Sequence, residues 1–260
     1  MPYRYDFVVL GEDQRQVYIR ELLKEKDYVV SSSIQDIKEA KMIVGSTPCI
    51  EEKALETKDY VQKGQIFFAG CISEQWKERI LEKGVKVFDF MKNKQVVVAN
   101  SVATAEGVIA KAIEYSTGNV RGSTCLVLGY GVCGKTIVAT LKGMGAKVIV
   151  CTREKEERAF AKVVVDEVVD LEQLELVLAK SDYIFNTIPK RILLEKQLQH
   201  IKQYSIVLDI ASNQGGVDYM AAKQMGVAAY HCKALPAQYA PRESANILVQ
   251  AMMEQIKMEK

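Results

Sequence analysis

The run Thr124-Cys125-Leu126-Val127-Leu128-Gly129-Tyr130-Gly131-Val132-Cys133-Gly134 decides the architecture. A short apolar block leads straight into a Gly-x-Gly-x-x-Gly turn, and Thr136–Met144 continues at helical spacing. In a strand–turn–helix unit the first glycine permits the tight turn, and the second lets a pyrophosphate reach the backbone. The third lets helix and strand pack closely. The phosphates then sit at the positive N-terminal end of the helix. Gly129, Tyr130, Gly131, Val132, Cys133 and Gly134 are therefore candidate contacts to a dinucleotide. A glycine turn needed only for packing would carry the same local pattern. The helix stop at Gly143-Met144-Gly145 and a second apolar strand, Lys147–Cys151, follow at the spacing a dinucleotide fold requires.

The end of that second strand bears on which dinucleotide. NAD-specific domains commonly place a carboxylate there to accept the ribose 2′-hydroxyl. Here the strand ends Cys151-Thr152-Arg153, with Lys155 and Arg158 close behind. Thr152 can hydrogen-bond and Arg153 can fork onto a 2′-phosphate, so the expectation is NADP, with Lys155 adding charge. The alternative is a solvated arginine at a helix start, but a cation there opposes the helix dipole and gains from an anionic partner. Two further stretches fall where parallel strands should end at the ligand crevice: Asn186-Thr187-Ile188-Pro189, and Asp209 to Gly216 with Ala211 and Ser212. Both are also compatible with ordinary turn chemistry.

Working outward, short apolar runs alternate with amphipathic segments along the whole chain. Asp6–Leu10 precedes Gln14–Glu25; then come Met42–Val44, Ile66–Ala69 before Ser73–Glu82, Val85–Phe88 and Val96–Ala99. Strands alternating with helices imply parallel β-α-β units with a covered sheet. Val102–Tyr115 reads as a helix, and a final amphipathic helix runs from Arg242 towards Lys260. The chain is expected to be α/β and dehydrogenase-like, with two domains. Residues 1–117 would form a smaller α/β substrate domain, with 118–241 as the Rossmann domain. The linker would be Gly118–Gly122, and the helix 242–260 would return to the first domain.

Composition excludes several classes. Thirty-five basic and 33 acidic residues leave a net charge of +2, so the chain has no overall basic footprint for nucleic acid. No run approaches the ~20 uninterrupted apolar residues of a membrane span. Arg4 and Asp6 interrupt the place where a secretory signal needs an apolar block, so a cytoplasmic protein is expected. The six cysteines form no C-x-x-C pair and the only histidines are His200 and His231, so no metal site is expected.

Taken together, several segments resemble the family of dipicolinate synthase A subunits: the glycine fingerprint, Asn186 to Pro189, Leu208 to Ser212 with Gly215-Gly216, Leu235-Pro236, Ala240-Pro241, Asn100-Ser101 with Thr104-Ala105-Glu106-Gly107, and Gly11 to Arg15. The resemblance implies oxidation of dihydrodipicolinate to dipicolinate with NADP in the mother cell of a sporulating bacterium. It also implies work alongside the other component of dipicolinate synthase, a flavoprotein-like B subunit. Gln214 stands where the family has a proline before the glycine pair.

A ring carrying two carboxylates needs cations or N–H donors around it. Arg15, after the first strand and its Gly11 turn, is the leading anchor, with Asp13 beside it; a surface arginine on a first helical turn is the alternative. Thr47 and Ser73 follow other strands. Asn100, Ser101 and Thr104 sit where a strand would meet a helix; Ser101 and Thr104 can cap that helix, and their hydroxyls or its free N–H groups could hold a carboxylate. Glu106 is the candidate general base, unless it only complements the helix dipole. His231 reads as structural. Two other functions stay open at this point: an NADP-binding regulatory role without turnover, or another NADP-dependent oxidoreduction, of an amino or hydroxy acid. Assembly into a homo-oligomer is equally open.

Overall fold

A computed structural model describes residues 3–49, 59–212 and 214–259. Asn213, within the strand-end stretch noted above, lies outside them. The chain divides into two compact units: one made of Met1–Asn100 with Ala240–Lys260, the other of Ser101–Tyr239.

The first unit is a five-stranded, wholly parallel sheet of β1 (Tyr5–Val9), β2 (Val30–Ser31), β3 (Ala40–Val44), β4 (Ile66–Ala69) and β5 (Lys86–Asp89). Its strand order is β2-β1-β3-β4-β5. Alternate side chains of each strand enter separate cores, as a sheet covered on both faces demands. Phe7, Val9, Met42, Val44 and Phe68 face the helices Gln14–Lys24 and Pro241–Met258 through Ile19, Leu23, Leu248 and Met252. Val8, Ile43, Phe67 and Ala69 face Ile37, Trp76 and Ile80. The final helix starts with proline at its first turn and repeats buried Ala245, Leu248, Val249 and Met252 along one stripe. That stripe packs on the first helix.

The second unit is a six-stranded parallel sheet of β6 (Thr124–Leu128), β7 (Lys147–Cys151), β8 (Glu167–Val169), β9 (Tyr183–Asn186), β10 (Ile206–Asp209) and β11 (Ala228–His231). The order is β11-β10-β9-β6-β7-β8, that of a Rossmann dinucleotide domain. Cys125, Val127, Val148, Val150, Phe185 and Leu208 lie on one face against Ile137, Val138 and Leu141 of the helix Val132–Gly143. Leu126, Leu128, Ile149, Ile184 and Val207 lie on the other, against Val177, Leu178 and Leu198. The fold is therefore α/β, doubly wound and dehydrogenase-like.

Three expectations are corrected. Val96–Ala99 is not a strand: a single helix runs from Lys94 to Tyr115, capped by Asn93, whose Oδ1 accepts from the Gln95 amide at 2.9 Å. β-Branched residues in sequence suggested a strand, but packing overrides so weak a preference. The unit division falls inside this helix, after Asn100, because Ala105, Val108, Ile109 and Ala112 pack in the second unit's core. The segment Ala234–Pro241, read as a loop, contains a short helix, Leu235–Tyr239. The helix Lys94–Tyr115 is also long and apolar enough to cross a membrane, yet half of its most apolar stretch is buried inside the protein.

Candidate functional site

Backbone geometry builds the site on the second unit. Gly129 closes β6 with φ 86°, a conformation that suits glycine, and donates its amide to the Cys151 carbonyl at 2.9 Å. A Cβ there would lie 2.6 Å from Thr187 Oγ1. At Gly134 a Cβ would lie 2.3 Å from the Gly129 carbonyl oxygen, so this glycine is what lets the helix close on the strand. Gly131 differs from both: a Cβ there would meet no protein atom within 4 Å. Its φ of −71° suits any residue, and no side chain caps the helix that it starts. Folding does not require a glycine at that position. A phosphate approaching the free N–H groups of the helix does, so the residues present fit a dinucleotide.

A cleft of about 320 Å³ opens beside this turn. Gly129, Tyr130 and Gly131 line it on one side, Thr152, Arg153, Glu154 and Glu157 on a second, and Thr187, Ile188, Pro189 and Lys190 on a third. Thr187 is fixed by donating its hydroxyl to the Leu128 carbonyl at 2.8 Å. Arg153 is exposed and pairs with Glu154 at 2.8 Å. Arg158 turns away from the cleft, donating to the Thr152 carbonyl at 2.8 Å and pairing with Asp170 at 2.6 Å. Lys155 is exposed and does not line the cleft. Val132 and Cys133 form the first turn of the helix.

One acidic residue in the cleft was not read from the sequence. Glu157 Oε2 accepts hydrogen bonds from Thr152 Oγ1 at 2.6 Å and from the Tyr130 amide at 3.2 Å. It arrives from the helix Lys155–Ala161 rather than from the end of the second strand.

Asn186 does not line the cleft. It is fully buried at the end of β9, donating to Asp209 at 2.8 Å and to the Ile188 carbonyl at 3.2 Å. Asp209 is equally buried and accepts from Asn186, from the amides of Ala211 (3.0 Å) and Gly216 (2.6 Å), and from the Tyr219 hydroxyl (2.7 Å). Burial, then the bond to Asp209, raises the pKa of the Tyr219 hydroxyl and keeps it a donor. The paired glycines follow from this network: a Cβ on Gly215 would lie 2.4 Å from Asp209 Oδ2, and one on Gly216 2.2 Å from Asn186 Nδ2. His231 Nε2 bonds the Ala211 carbonyl at 2.9 Å, and its ring stacks on Tyr219. Ala211 is buried and Ser212 exposed.

The first unit carries a second concentration of polar groups at the carboxyl ends of β1, β3 and β4. In its strand order the topological switch lies between β1 and β3, where open α/β sheets bind ligands. Arg15 sits there with 5% of its surface exposed, its guanidinium donating to the Thr47 carbonyl. Arg15 Nε and Thr47 Oγ1 are both buried without a hydrogen-bond partner among the described residues. Burial lowers the Arg15 pKa from its ordinary value, with Asp13 and Cys71 opposing the shift. The expectation of a surface arginine is thus excluded. Gly70 lets Thr47 pack this way, since a Cβ there would lie 2.3 Å from Thr47 Cγ2. Gln16 ties the two strand ends together, donating to the Gly45 carbonyl at 2.8 Å.

The remaining sequence candidates have local tasks. Asp13 caps the helix Gln14–Lys24, accepting from the Gln16 amide at 3.0 Å, and Ser73 caps Glu74–Leu81, accepting from Trp76 at 3.3 Å. Asn100, Ser101 and Thr104 lie in the interior of the helix Lys94–Tyr115, where helix N–H groups are already used. The expectation that Ser101 and Thr104 cap a helix start therefore fails. Ser101 is buried and shares a hydrogen bond with Thr136 at 2.7 Å. Glu106 is exposed in mid-helix, past the first turn where a carboxylate complements the dipole. Among the described residues no cluster of metal-ligating side chains occurs, and all six cysteines are free. Burial raises the thiol pKa to about 11 at Cys125 and Cys232 and to about 12 at Cys151.

Residues 88–215 match the family described as D-isomer specific 2-hydroxyacid dehydrogenase, NAD binding domain. With the strand order and the glycine cradle, this match supports an oxidoreductase that binds a nicotinamide dinucleotide. More particularly, the chain is similar to the dipicolinate synthase A subunit of Bacillus subtilis (strain 168), at 29% identity over 213 residues, 80% of this chain and 71% of that protein. Its fold matches the crystal structure of the dipicolinate synthase A subunit from Bacillus halodurans with a TM-score of 0.87 at 21% identity, covering 98% of each chain. It matches that of the A chain from Bacillus subtilis with a TM-score of 0.84 at 23% identity, covering 98% of this chain and 97% of that one. The resemblance read from the sequence holds.

Proposed function

We propose that this chain oxidises dihydrodipicolinate to dipicolinate with NADP, as the A subunit of a dipicolinate synthase beside a flavoprotein-like B subunit, in the cytoplasm of a sporulating mother cell. The observation that carries the substrate assignment is Arg15: a buried guanidinium at a topological switch point, with Nε and the neighbouring Thr47 hydroxyl unpartnered among the described residues. Leaving buried polar groups unsatisfied costs about 1–3 kcal/mol each, so such a pair favours an oxyanion that both can reach. A substrate carboxylate has that chemistry.

Gly131 and the free amides at the start of the helix Val132–Gly143 would hold the pyrophosphate, and Arg153 the 2′-phosphate. Bound there, the nicotinamide supplies a two-electron hydride acceptor. The ring breaks one C–H bond as hydride and a second as a proton, and becomes aromatic. Because aromatisation drives the reaction, the protein's share is orientation and exclusion of water. Ile188 and Pro189 give the cleft an apolar wall, and the Asp209 network fixes the turn that holds Ala211. Glu106 is the proposed proton acceptor.

Steady-state kinetics of Arg15→Ala test the assignment. A grip on a carboxylate that does not change during hydride transfer acts on ground and transition state alike, so KM should rise while kcat and NADP affinity hold. An unchanged KM would move the substrate site elsewhere.

A further inference from the structure

The cleft of the second unit contains a carboxylate that neither the motif nor the family match assigns. Glu157 reaches one turn back from its helix to the end of β7 and the start of the glycine turn. There a single oxygen, Oε2, accepts from Thr152 Oγ1 at 2.6 Å and from the Tyr130 amide at 3.2 Å. Dinucleotide domains need an acceptor for the adenosine ribose hydroxyls at this corner, between the second strand's end and the first turn residue. Thr152 occupies the strand-end position and is only 2% exposed, with its hydroxyl committed to Glu157. The carboxylate missing from the strand is thus supplied from the helix, five residues on. The opposing cation, Arg153, is exposed at the cleft's rim and paired with Glu154. Lys190 is the other charged residue lining the cleft.

We propose that Glu157 is the ribose-binding carboxylate of this cleft and sets its choice between the two nicotinamide dinucleotides. It accepts the 2′-hydroxyl of NAD and opposes the 2′-phosphate of NADP, which Arg153 draws in. The pocket consequently takes both dinucleotides, and its preference is set chiefly by Glu157 against Arg153, with Glu154 and Lys190 also on the cleft wall. The inference rests on the reading that the cleft holds a nicotinamide dinucleotide.

Calorimetric titration of the full chain with NAD and with NADP tests it without reference to turnover. Glu157→Gln keeps an acceptor oxygen and removes the charge. It should tighten NADP by about tenfold, as expected for losing a like charge a few ångströms from a phosphate, while NAD weakens slightly. Glu157→Asp, which keeps the charge, should not tighten NADP. Arg153→Ala should weaken NADP alone. If Glu157 only braced the turn, Glu157→Gln would change both affinities by the same factor, and an unchanged ratio overturns the assignment while leaving the dinucleotide site standing. An unaltered chain that binds neither dinucleotide would overturn both.

Discussion

The two units solve a similar problem with opposite materials. Both are parallel sheets covered on two faces, with polar groups gathered where the strand order switches. The second unit builds its site from backbone: Gly129 for the turn, Gly134 for close packing, Gly131 for an approaching anion. The first builds from side chains that different strand ends deliver, chiefly Arg15 and Thr47, with Gln16 fastening the strands. Backbone sites depend on residues that have no side chain, and one added methyl blocks them. Side-chain sites depend on charge and fail by degrees.

The largest expected effect breaks the backbone half of that contrast. Gly134→Ala puts a methyl 2.3 Å from a carbonyl oxygen that cannot yield, so it should lower the thermal midpoint and abolish dinucleotide binding together. Gly131→Val sharpens the point, because its side chain meets no protein atom at Cβ and its backbone angles are ordinary. The thermal midpoint should stay near the original while dinucleotide Kd rises by about a hundredfold, the order of two or three lost charge-assisted hydrogen bonds. Parallel loss of stability in Gly131→Val would make that glycine a folding requirement after all.

On the first unit, Arg15→Ala should raise KM for the dicarboxylate roughly 10- to 150-fold, corresponding to about 1.5–3 kcal/mol for a hydrogen bond to a charged group. NADP Kd, measured separately, should hold. The smallest effect belongs to Glu106→Gln. Water can replace an exposed carboxylate as proton acceptor, so kcat should fall by less than about tenfold; a loss of 10²–10⁴ would make Glu106 an indispensable general base.

Legibility followed the same division. The glycine turn could be read because each glycine answers a backbone need that no other residue meets, and β6 and β7 followed from apolar runs. Glu157 could not be read, because the expected acid belongs at a strand end and this one comes from the next helix. Asn186 misled for a related reason: a polar residue closing a strand can serve a ligand or an internal network, and only the buried Asp209 beside it decides. The helix Lys94–Tyr115 hides its start among Val96, Val97 and Val98, which resemble a strand and so give Ser101 and Thr104 the look of caps. β2 and β8, with two and three residues, are too short to show a period. Arg15 was found by its place after β1, but its burial emerged only when the end of β3 packed over it.

In the proposed function the dinucleotide turn and the buried arginine serve one oxidation. Its most direct test mixes the full chain with dihydrodipicolinate and NADP, with and without the flavoprotein-like B subunit, and follows NADPH and dipicolinate together. Equal amounts of both products are expected, at a rate that the Arg15→Ala variant reaches only at raised substrate concentration. Dinucleotide binding without NADPH formation, when both components of the synthase are present, would contradict it.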